Sequence, residues 1–415
     1  MKSVLLLNTS ERTGGAAIAA SRLLGALNKN GVTASLMVRD KQTSNVTVRS
    51  VGSKWLMAAR FVLERFMIFV SAGFKKKNVW QVDIANVGAD VTKTAEFQRA
   101  DVVHLHWVNQ GFLSTSGLRD ILRSRKKIVV TMHDMWYFTG ICHYAGDCDK
   151  YKSHCSDCPL LNCSLSVDYA KKVFRKKKEM YAGRDITFVG CSRWMADMAR
   201  SSSLTQGHQV VNIPNAIDTD HFAPFDKLAA RQKMGLPEKR KLILFGSQRI
   251  TDERKGFRFL VDACRSLEQS HPDLSRQLTV VVVGANSEEV SASVPFEVIP
   301  VAYVSDERSM ISLYNAVDLY VTPSLQDNLP NTIMEAMSCG TPCVGFDVGG
   351  IPEMISHQHT GYVARYKDAS DFAEGISWCL DESRYEELCA NSRKKVVDEY
   401  REERVADLYK KVYFG

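Results

Sequence analysis

Short apolar runs alternate with longer segments of helical spacing along most of the 415-residue chain. The apolar runs of the first half are almost continuous, as parallel strands that are covered on both faces must be. They predict buried strands at residues 3–8, 34–38, 102–107, 127–133 and 186–192. This β-α-β alternation is typical of a doubly wound α/β domain.

The alternation stops at residues 212–227, "NIPNAIDTDHFAPFDK", where prolines and aspartates replace any periodic pattern and predict a linker. It then restarts, and the tail from residue 368 onwards is helical in pattern. Strands are predicted at residues 241–247, 278–284, 296–301, 317–324 and 341–346. We therefore expect two successive α/β domains, which the chain is long enough to form.

Composition narrows the class of protein. Hydrophobic residues make up 45% of the chain and charged residues 24%, as in soluble globular proteins. The net charge of +7 is concentrated at residues 75–77, 123–127 and 171–178. A nucleic-acid-binding domain would show a broader basic bias, so we expect no nucleic-acid partner. Such local basic faces fit an anionic membrane, phosphorylated ligands or plain solvated surface.

The eleven cysteines are spread through a chain that shows no export signal and no apolar run long enough to cross a bilayer. This combination predicts reduced thiols and a cytoplasmic location.

Gly14 and Gly15 lie between the first predicted strand and a helical pattern that begins near Ala16. Glycines let a backbone approach a ligand closely, and a helix N-terminus favours an anion. The dinucleotide fingerprint G-x-G-x-x-G is absent. The pair therefore fits either a phosphate-facing turn or an ordinary strand-to-helix turn.

Arg249 and Lys255 follow the first strand of the second domain, in "FGSQRITDERKGF" at residues 245–257. Open α/β sheets bind ligands at the carboxyl ends of their strands, and two fixed cations there suit a diphosphate. The alternative is a surface charge run, in which the charges at 252–254 pair among themselves.

Two carboxylates lie within "TPSLQDNLPNTIMEAMSCGTPCVGFDVGGIPEMI", residues 322–355. Asp327 precedes a predicted short helix and Glu335 lies in its second turn. The loop amides and the helix dipole favour phosphate there, and a carboxylate facing the same crevice accepts hydrogen bonds from a diol such as ribose. Alone, Glu335 fits an ordinary helix acid equally well.

Together these motifs resemble the retaining GT-B glycosyltransferases of family four, the glycosyl transferases group 1. The resemblance covers the whole chain and is densest at residues 324–353, while "IPNAID" at 213–218 is similar to the interdomain segment of that family, with Ala216 where Gly is usual. It implies a GT-B fold, in which two doubly wound Rossmann-like domains face a central cleft.

The resemblance also implies domain roles. Residues 1–210 would form the acceptor domain, residues 218–392 the nucleotide-sugar domain, and residues 393–415 a helix that crosses back to the first domain.

The resemblance assigns the donor phosphates to residues of the second domain. Arg249 and Lys255 would neutralise the departing diphosphate, and the loop at Asn328 and Leu329 would hold phosphate through its amides. Glu335 would bind the ribose hydroxyls. Catalysis would then be mostly electrostatic and would require no cofactor.

The remaining roles concern the sugar. His133, in "VVTMHDMW", matches a histidine that contacts the donor sugar, and Gly14 and Gly15 would face the donor phosphates or the acceptor. The family usually has Glu-Gly-Phe-Pro where this chain has Asp327-Asn328-Leu329-Pro330. Asp is one methylene shorter than Glu, which indicates a different donor sugar or a slightly retracted loop.

A cysteine-rich segment, "GICHYAGDCDKYKSHCSDCPLLNC", spans residues 140–163. Cys142, Cys148, Cys155 and Cys158 have the spacing C-x5-C-x6-C-x2-C, whose last part is similar to a zinc knuckle. A structural zinc is the preferred interpretation, free thiols are the next alternative, and disulfides are the least favoured in a cytosol.

Residues 54–77, "KWLMAARFVLERFMIFVSAGFKKK", predict a strongly apolar helix with Arg60, Glu64 and Ser71 on one face. It would either cover the first sheet or lie in a membrane interface, where the basic run at 169–181 would add attraction.

We therefore expect a retaining hexosyl- or glycosyltransferase that moves a sugar from a UDP- or GDP-linked donor to a polysaccharide or lipid-linked acceptor. It would be cytoplasmic or peripheral on the inner face of the cytoplasmic membrane, in cell-surface glycan biosynthesis. A degenerate GT-B scaffold subunit and a GT-B nucleotide-sugar epimerase are the alternatives.

Overall fold

The computed structural model describes residues 2–161, 167–304 and 306–415, without the side chain of residue 77. The chain forms two compact units. One comprises Met1–Ala216 with Glu402–Gly415, and the other comprises Ile217–Arg401.

The first unit contains a seven-stranded sheet in the order β3-β2-β1-β4-β5-β6-β7, in which every neighbouring pair is parallel. The strands are β1 Ser3–Ser10, β2 Thr33–Asp40, β3 Val48–Ser50, β4 Val102–Leu105, β5 Lys127–Met132, β6 Ile186–Gly190 and β7 Gln209–Asn212. The helices are α1 Gly15–Lys29, α2 Lys54–Ser71, α3 Ala95–Arg99, α4 Thr115–Leu122, α5 Tyr169–Tyr181 and α6 Arg193–Arg200.

The second unit contains a six-stranded parallel sheet in the order β10-β9-β8-β11-β12-β13. Its strands are β8 Lys241–Arg249, β9 Leu278–Ala285, β10 Glu297–Val301, β11 Leu319–Thr322, β12 Cys343–Phe346 and β13 Gly361–Ala364. Its helices are α7 Lys227–Met234, α8 Phe257–Ser270, α9 Pro272–Ser275, α10 Ser287–Ser291, α11 Glu307–Ala316, α12 Asn331–Ser338, α13 Ile351–Met354, α14 Ala369–Cys379 and α15 Glu382–Tyr400.

Both faces of the first sheet are buried, which explains its continuous apolar runs. Leu5 and Leu7 of β1 join the hydrophobic cluster on one face, while Val4 and Leu6 join the cluster on the other. Successive side chains of a strand point to opposite faces, so an inner strand between two helix layers needs an apolar residue at every position.

The strands that the pattern did not predict, β3, β7 and β13, all lie at the edges of the two sheets. Edge strands are short and only partly covered, so they lack the continuous apolar run of the inner strands. The predicted linker at 212–227 begins on the last residue of β7 and ends on the first residue of α7.

The last helix, α16 Glu402–Phe414, packs within the first unit. The Tyr413 hydroxyl lies 2.7 Å from Nδ1 of His104, and the Tyr409 hydroxyl lies 2.8 Å from the Thr131 hydroxyl. The helix begins at Glu402 rather than at residue 393, because α15 continues unbroken to Tyr400.

A buried carboxylate supports the second sheet. Asp318, just before β11, accepts hydrogen bonds of 2.8 Å from Arg231 and Lys227 and of 2.7 Å from the backbone N–H of Leu242. Its side chain is 9% exposed and that of Arg231 is 6% exposed, so water could not replace either partner. Removing one partner of a buried pair leaves an uncompensated charge.

We predict that Asp318→Ala destabilises the second unit by about 3 to 5 kcal/mol, because Arg231 and the Leu242 N–H lose their acceptor. Urea unfolding followed by circular dichroism measures the loss. Asp273→Ala is the matched control, since Asp273 pairs with Arg276 on an exposed helix and exposed pairs contribute little. Equal stability of the two variants would contradict this role of Asp318.

Candidate active site

The strand order of the second unit places the candidate donor residues. β8 is flanked by β9 on one side and by β11 on the other, so the winding of the chain reverses between β8 and β11. Ligands of open α/β sheets bind at the carboxyl ends of the strands beside such a switch point. Arg249 ends β8, and the loop that contains Asp327 follows β11.

A close backbone contact brings these two loops together. Gly256 has φ +70°, and a Cβ atom there would lie 1.8 Å from the carbonyl oxygen of Pro323. The backbone N–H of Leu325 also donates a 2.7 Å hydrogen bond to the carbonyl of Arg254. Only glycine allows this approach, so the loop after β8 is fixed against the loop after β11.

This contact pairs two of the predicted site residues with each other. Nζ of Lys255 lies 2.7 Å from a carboxylate oxygen of Asp327, and both side chains are largely buried, at 33% and 16% exposure. We expected Lys255 to face a diphosphate and Asp327 to face a sugar. The ammonium group that we expected to bind a phosphate oxygen thus has a carboxylate oxygen as its partner, and both predicted roles stay predictions.

The alternative of a surface charge run holds for part of this loop. Asp252 caps the turn at Glu253–Lys255 and pairs with Arg254 at 2.7 Å. The ion-pair partner of Lys255 is Asp327, while Arg249 is exposed at the end of β8.

The loop before α12 is fixed by a close backbone contact with Gly349. Gly349, at φ +59°, approaches so closely that a Cβ atom would lie 1.8 Å from the carbonyl oxygen of Asp327. Asn328 and Leu329 are buried at 4% and 7% exposure. The loop is therefore a fixed element, whereas its predicted contact with phosphate stays a prediction.

Glu335 lies in α12 and is 9% exposed. The hydroxyl of buried Tyr314 donates a 2.8 Å hydrogen bond to one of its carboxylate oxygens. Burial and the neighbouring Glu335 charge raise the pKa of Tyr314 well above its ordinary value, so the phenol remains a donor. Tyr314 thus fixes the orientation of the carboxylate, a contact that sequence reasoning did not find.

In the first unit, Gly14 is the N-cap of α1, with φ 93° and no neighbouring atom within 4 Å of a Cβ at this position. Both Gly14 and Gly15 are exposed. Glu11, three residues before Gly14, is buried and accepts hydrogen bonds from the backbone N–H groups of Gln42 and Thr43. The open helix terminus follows β1, beside the switch point between β1 and β4.

His133 follows β5 and belongs to a group of three imidazoles. Its Nε2 lies 2.9 Å from Nδ1 of His106, and the two rings stack at 5.2 Å. The rings of His106 and His104 are 4.2 Å apart. Burial lowers the pKa of His133 to about 4, although Asp134 opposes the shift. Burial also lowers the pKa of His104 to about 3 and that of His106 well below its ordinary value, so all three rings are neutral at pH 7.

His104 and His106 were missed as site residues, although "HLH" at the end of a predicted strand carried a signal. Alternate residues of a strand share a face, and neighbouring parallel strands end at one edge, so His106 and His133 must lie close together. Nε2 of His106 is buried without a partner among the described residues, and His106 lines a small cavity together with Thr131 and Tyr409.

Asp134 anchors the segment after His133. One of its carboxylate oxygens lies 2.7 Å from the indole nitrogen of Trp107 and 2.7 Å from Nδ1 of His143. Burial alone would raise the pKa of Asp134, but His143 and these hydrogen bonds lower it below its ordinary value. Asp134 therefore stays ionised and ties the cysteine-rich segment to the end of β4.

The four cysteines of the predicted zinc site are of intermediate exposure. Burial raises the pKa of Cys142 to about 12 and that of Cys155 to about 11. Within the described ranges, no three or more His, Cys, Asp or Glu side chains are arranged to hold a metal ion. Cys163 lies outside the described residues. The zinc proposal gains no support here and stays a prediction.

Comparisons with known proteins agree with this geometry. Residues 239–382 match the family model described as glycosyl transferases group 1. N-acetyl-alpha-D-glucosaminyl L-malate synthase of Bacillus anthracis is 24% identical over 79% of this chain and 78% of its own length. Alignments with several D-inositol 3-phosphate glycosyltransferases span only 40–59% of those relatives.

Solved structures share the fold over the full chain. Sucrose-phosphate synthase from Thermosynechococcus elongatus has a TM-score of 0.70 at 19% identity and covers 100% of this chain and 98% of its own. Anabaena HepE in complex with UDP-glucose has a TM-score of 0.63 at 14% identity and covers 99% of each chain. The chain is therefore a glycosyltransferase with a GT-B fold, whose residues 239–382 form a glycosyl transferases group 1 domain.

Proposed function

We propose that the protein transfers a sugar, with retention, from a nucleotide-sugar to a polysaccharide or lipid-linked oligosaccharide in cell-surface glycan biosynthesis. The transfer would take place in the cytoplasm, in contact with the inner face of the cytoplasmic membrane. The observation that carries the proposal is the contact between Lys255 and Asp327 beside the β8–β11 switch point, where Arg249 ends β8 and Glu335 lies in α12.

These residues suit a nucleoside diphosphate as leaving group. Arg249 and Lys255 supply two positive charges, and the α12 N-terminus adds a partial positive charge beside them. Charges that are fixed before the reaction stabilise the phosphate as it departs, and in many enzymes such electrostatic stabilisation accelerates the reaction more than any other effect. Chemistry of this kind needs no metal, because the cations take its place.

The donor class is supported by similarity alone. HepE, which shares the fold, was solved with UDP-glucose. We propose a UDP- or GDP-linked donor, with Glu335 on the ribose and Asp327 towards the sugar. In the first unit, His133 would contact the donor sugar, and the exposed helix terminus at Gly14 and Gly15 would face the donor phosphates or the acceptor.

A catalytically inactive scaffold remains the second candidate, favoured by one observation. Asp327 is paired with Lys255, so the cation that should meet the diphosphate already has a partner. An epimerase would use the same donor site but would release a changed sugar without an acceptor.

A thermal-shift screen of the whole protein against UDP, GDP, ADP and their sugars separates these candidates. A ligand that binds only the folded state raises the melting temperature. A rise with one nucleotide and transfer of its labelled sugar to membrane extract support the transferase. A rise without transfer, with a changed free sugar in the product, indicates the epimerase, and no rise indicates the scaffold.

We predict that Glu335→Gln weakens binding of the selected nucleotide by about tenfold to a hundredfold, because it removes a charged acceptor. Isothermal titration calorimetry measures the change, and the melting temperature of the free variant shows whether it folds. Glu387→Gln, an exposed change in the same unit, is the matched control and should bind normally. Unchanged affinity in Glu335→Gln would remove the assignment of the ribose contact.

We predict that Lys255→Gln lowers kcat on the order of a hundredfold with a smaller effect on nucleotide affinity, because the cation acts mainly on the departing phosphate. Arg254→Gln removes the adjacent cation, which pairs locally with Asp252, and should retain activity. Steady-state kinetics with the identified donor gives both values. A similar loss of kcat in the two variants would contradict a specific role of Lys255, because it would show only that the total charge of the loop matters.

We predict that transfer shows no titration of His133 between about pH 5 and 8, where an ordinary histidine changes charge. Its pKa is lowered to about 4, so the neutral ring prevails throughout this window and is lost only at lower pH. The kcat/KM profile tests this, with His133→Gln as comparison. A wild-type limb near pH 6.5 that disappears in the variant would contradict the neutral ring.

A further inference from the structure

Helix α2 has its polar and apolar faces reversed relative to an ordinary surface helix. Its buried face includes Glu64 and Arg65, at 0% and 8% exposure. Its exposed face is apolar, with Trp55 at 86%, Val62 at 62% and Phe66 at 60% exposure. A helix that faces water normally shows the opposite arrangement, because apolar surface is buried and charge is solvated.

The inward polar side chains have their partners inside the unit. Arg65 forms an ion pair with buried Asp83 and donates a 2.7 Å hydrogen bond to the carbonyl of Val79. One oxygen of Glu64 accepts the backbone N–H groups of residues 86 and 87, at 3.1 and 3.3 Å. These contacts fix the rotation of α2, so the apolar face cannot turn inward without breaking them.

The exposed apolar surface is continuous along the helix. Trp55, Val62 and Phe66 are spaced i, i+7 and i+11, and so they lie on one side of α2. Leu56 and Leu63 lie beside them, at 50% and 47% exposure. Exposed apolar patches of this kind mark contact with a protein or a membrane. We call this surface the α2 face.

The charges around the α2 face favour a membrane over a protein as its partner. The segment 54–80 contains a single acidic residue, Glu64, and it is buried. Exposed lysines occur at both ends, Lys54 before the α2 face and Lys75 and Lys76 after it. An apolar face flanked by cations and free of exposed acids complements an anionic lipid surface.

Two further features fit the depth of a membrane interface. Trp55 begins the helix and Trp80, at 58% exposure, follows its end, and tryptophan favours the boundary between headgroups and acyl chains. No helix among the described residues is long and apolar enough to cross a bilayer. A helix that is apolar on its outer side only would lie parallel to the membrane plane.

The neighbouring helix α5 extends the basic surface. Ile68 of α2 and Val173 of α5 pack in the same small hydrophobic cluster. Four of the five exposed positions of α5 are basic, namely Lys171, Lys172, Arg175 and Lys178, and the fifth is Glu179, which pairs with Arg175. Electrostatic attraction to anionic lipid would therefore act beside the apolar insertion as well as at its ends.

We propose that the α2 face inserts into the interface of an anionic membrane, flanked by Lys54, Lys75 and Lys76, and holds the acceptor unit at the lipid surface. The proposal deepens the proposed function, since it places the enzyme where a lipid-linked acceptor would be. It concerns a binding event that can be measured without donor or transfer.

Flotation of the whole protein with vesicles of phosphatidylcholine, alone or mixed with phosphatidylglycerol, tests the proposal. We expect binding to the mixed vesicles that weakens as salt is raised. Val62→Ser combined with Phe66→Ser should reduce vesicle partitioning on the order of tenfold, at unchanged melting temperature, since two inserted side chains lose their apolar surface. Lys75→Ser with Lys76→Ser should mainly reduce the dependence on phosphatidylglycerol.

Val46→Ser is the matched control, because Val46 is a 76% exposed apolar residue of the same unit outside α2. It should bind like the wild type. Wild-type protein that stays unbound to every vesicle, or a serine pair in α2 that binds normally, overturns the proposal. A soluble dimer that the same serine pair dissociates also overturns it, and would assign the α2 face to a second copy.

The membrane proposal and the transferase proposal can each be rejected while the other is retained. Vesicle binding without nucleotide binding would retain the membrane surface and reject the transferase, whereas transfer to a soluble acceptor without vesicle binding would do the reverse.

Discussion

Parallel pairing of every neighbouring strand is the constraint on which the rest of the structure depends. All strands of a parallel sheet deliver their carboxyl ends to one edge, so loops that are distant in sequence meet there. The inner strands must be apolar on both faces, which leaves the loops to carry the chemistry. Lys255 and Asp327 meet for this reason in one unit, and His106 and His133 in the other.

The contact between Lys255 and Asp327 shows how this constraint shapes the site. Gly256 permits a backbone approach to Pro323 that no other residue would allow, and the approach brings the ammonium group to the carboxylate. Under the proposed function, a donor diphosphate would compete with that carboxylate for Lys255. The identity of the acid at position 327 would then affect the cation as well as the sugar.

Inner strands and loop motifs could be predicted because they follow from periodicity and from residue chemistry at strand ends. The edge strands β3, β7 and β13 could not, because partial burial leaves no continuous apolar run. The partner of Glu335 was equally hidden, since Tyr314 approaches it from α11 and nothing in the local sequence links the two. The pairing of Lys255 with Asp327 depends on loop geometry, which residue types alone do not determine.

Helix α2 shows the limit of amphipathic analysis most clearly. Its pattern correctly separates a charged side from an apolar side, but the pattern does not say which side faces the protein. Asp83 and the backbone groups around Val79 and Asn86 decide this, because they offer the inward polar side chains partners that replace water. The apolar side of α2 faces outward because the polar side chains on its other side form these contacts inside the unit. An exposed apolar surface of this kind is typical of contact with a protein or a membrane, and an anionic membrane is the partner that we propose for the first unit.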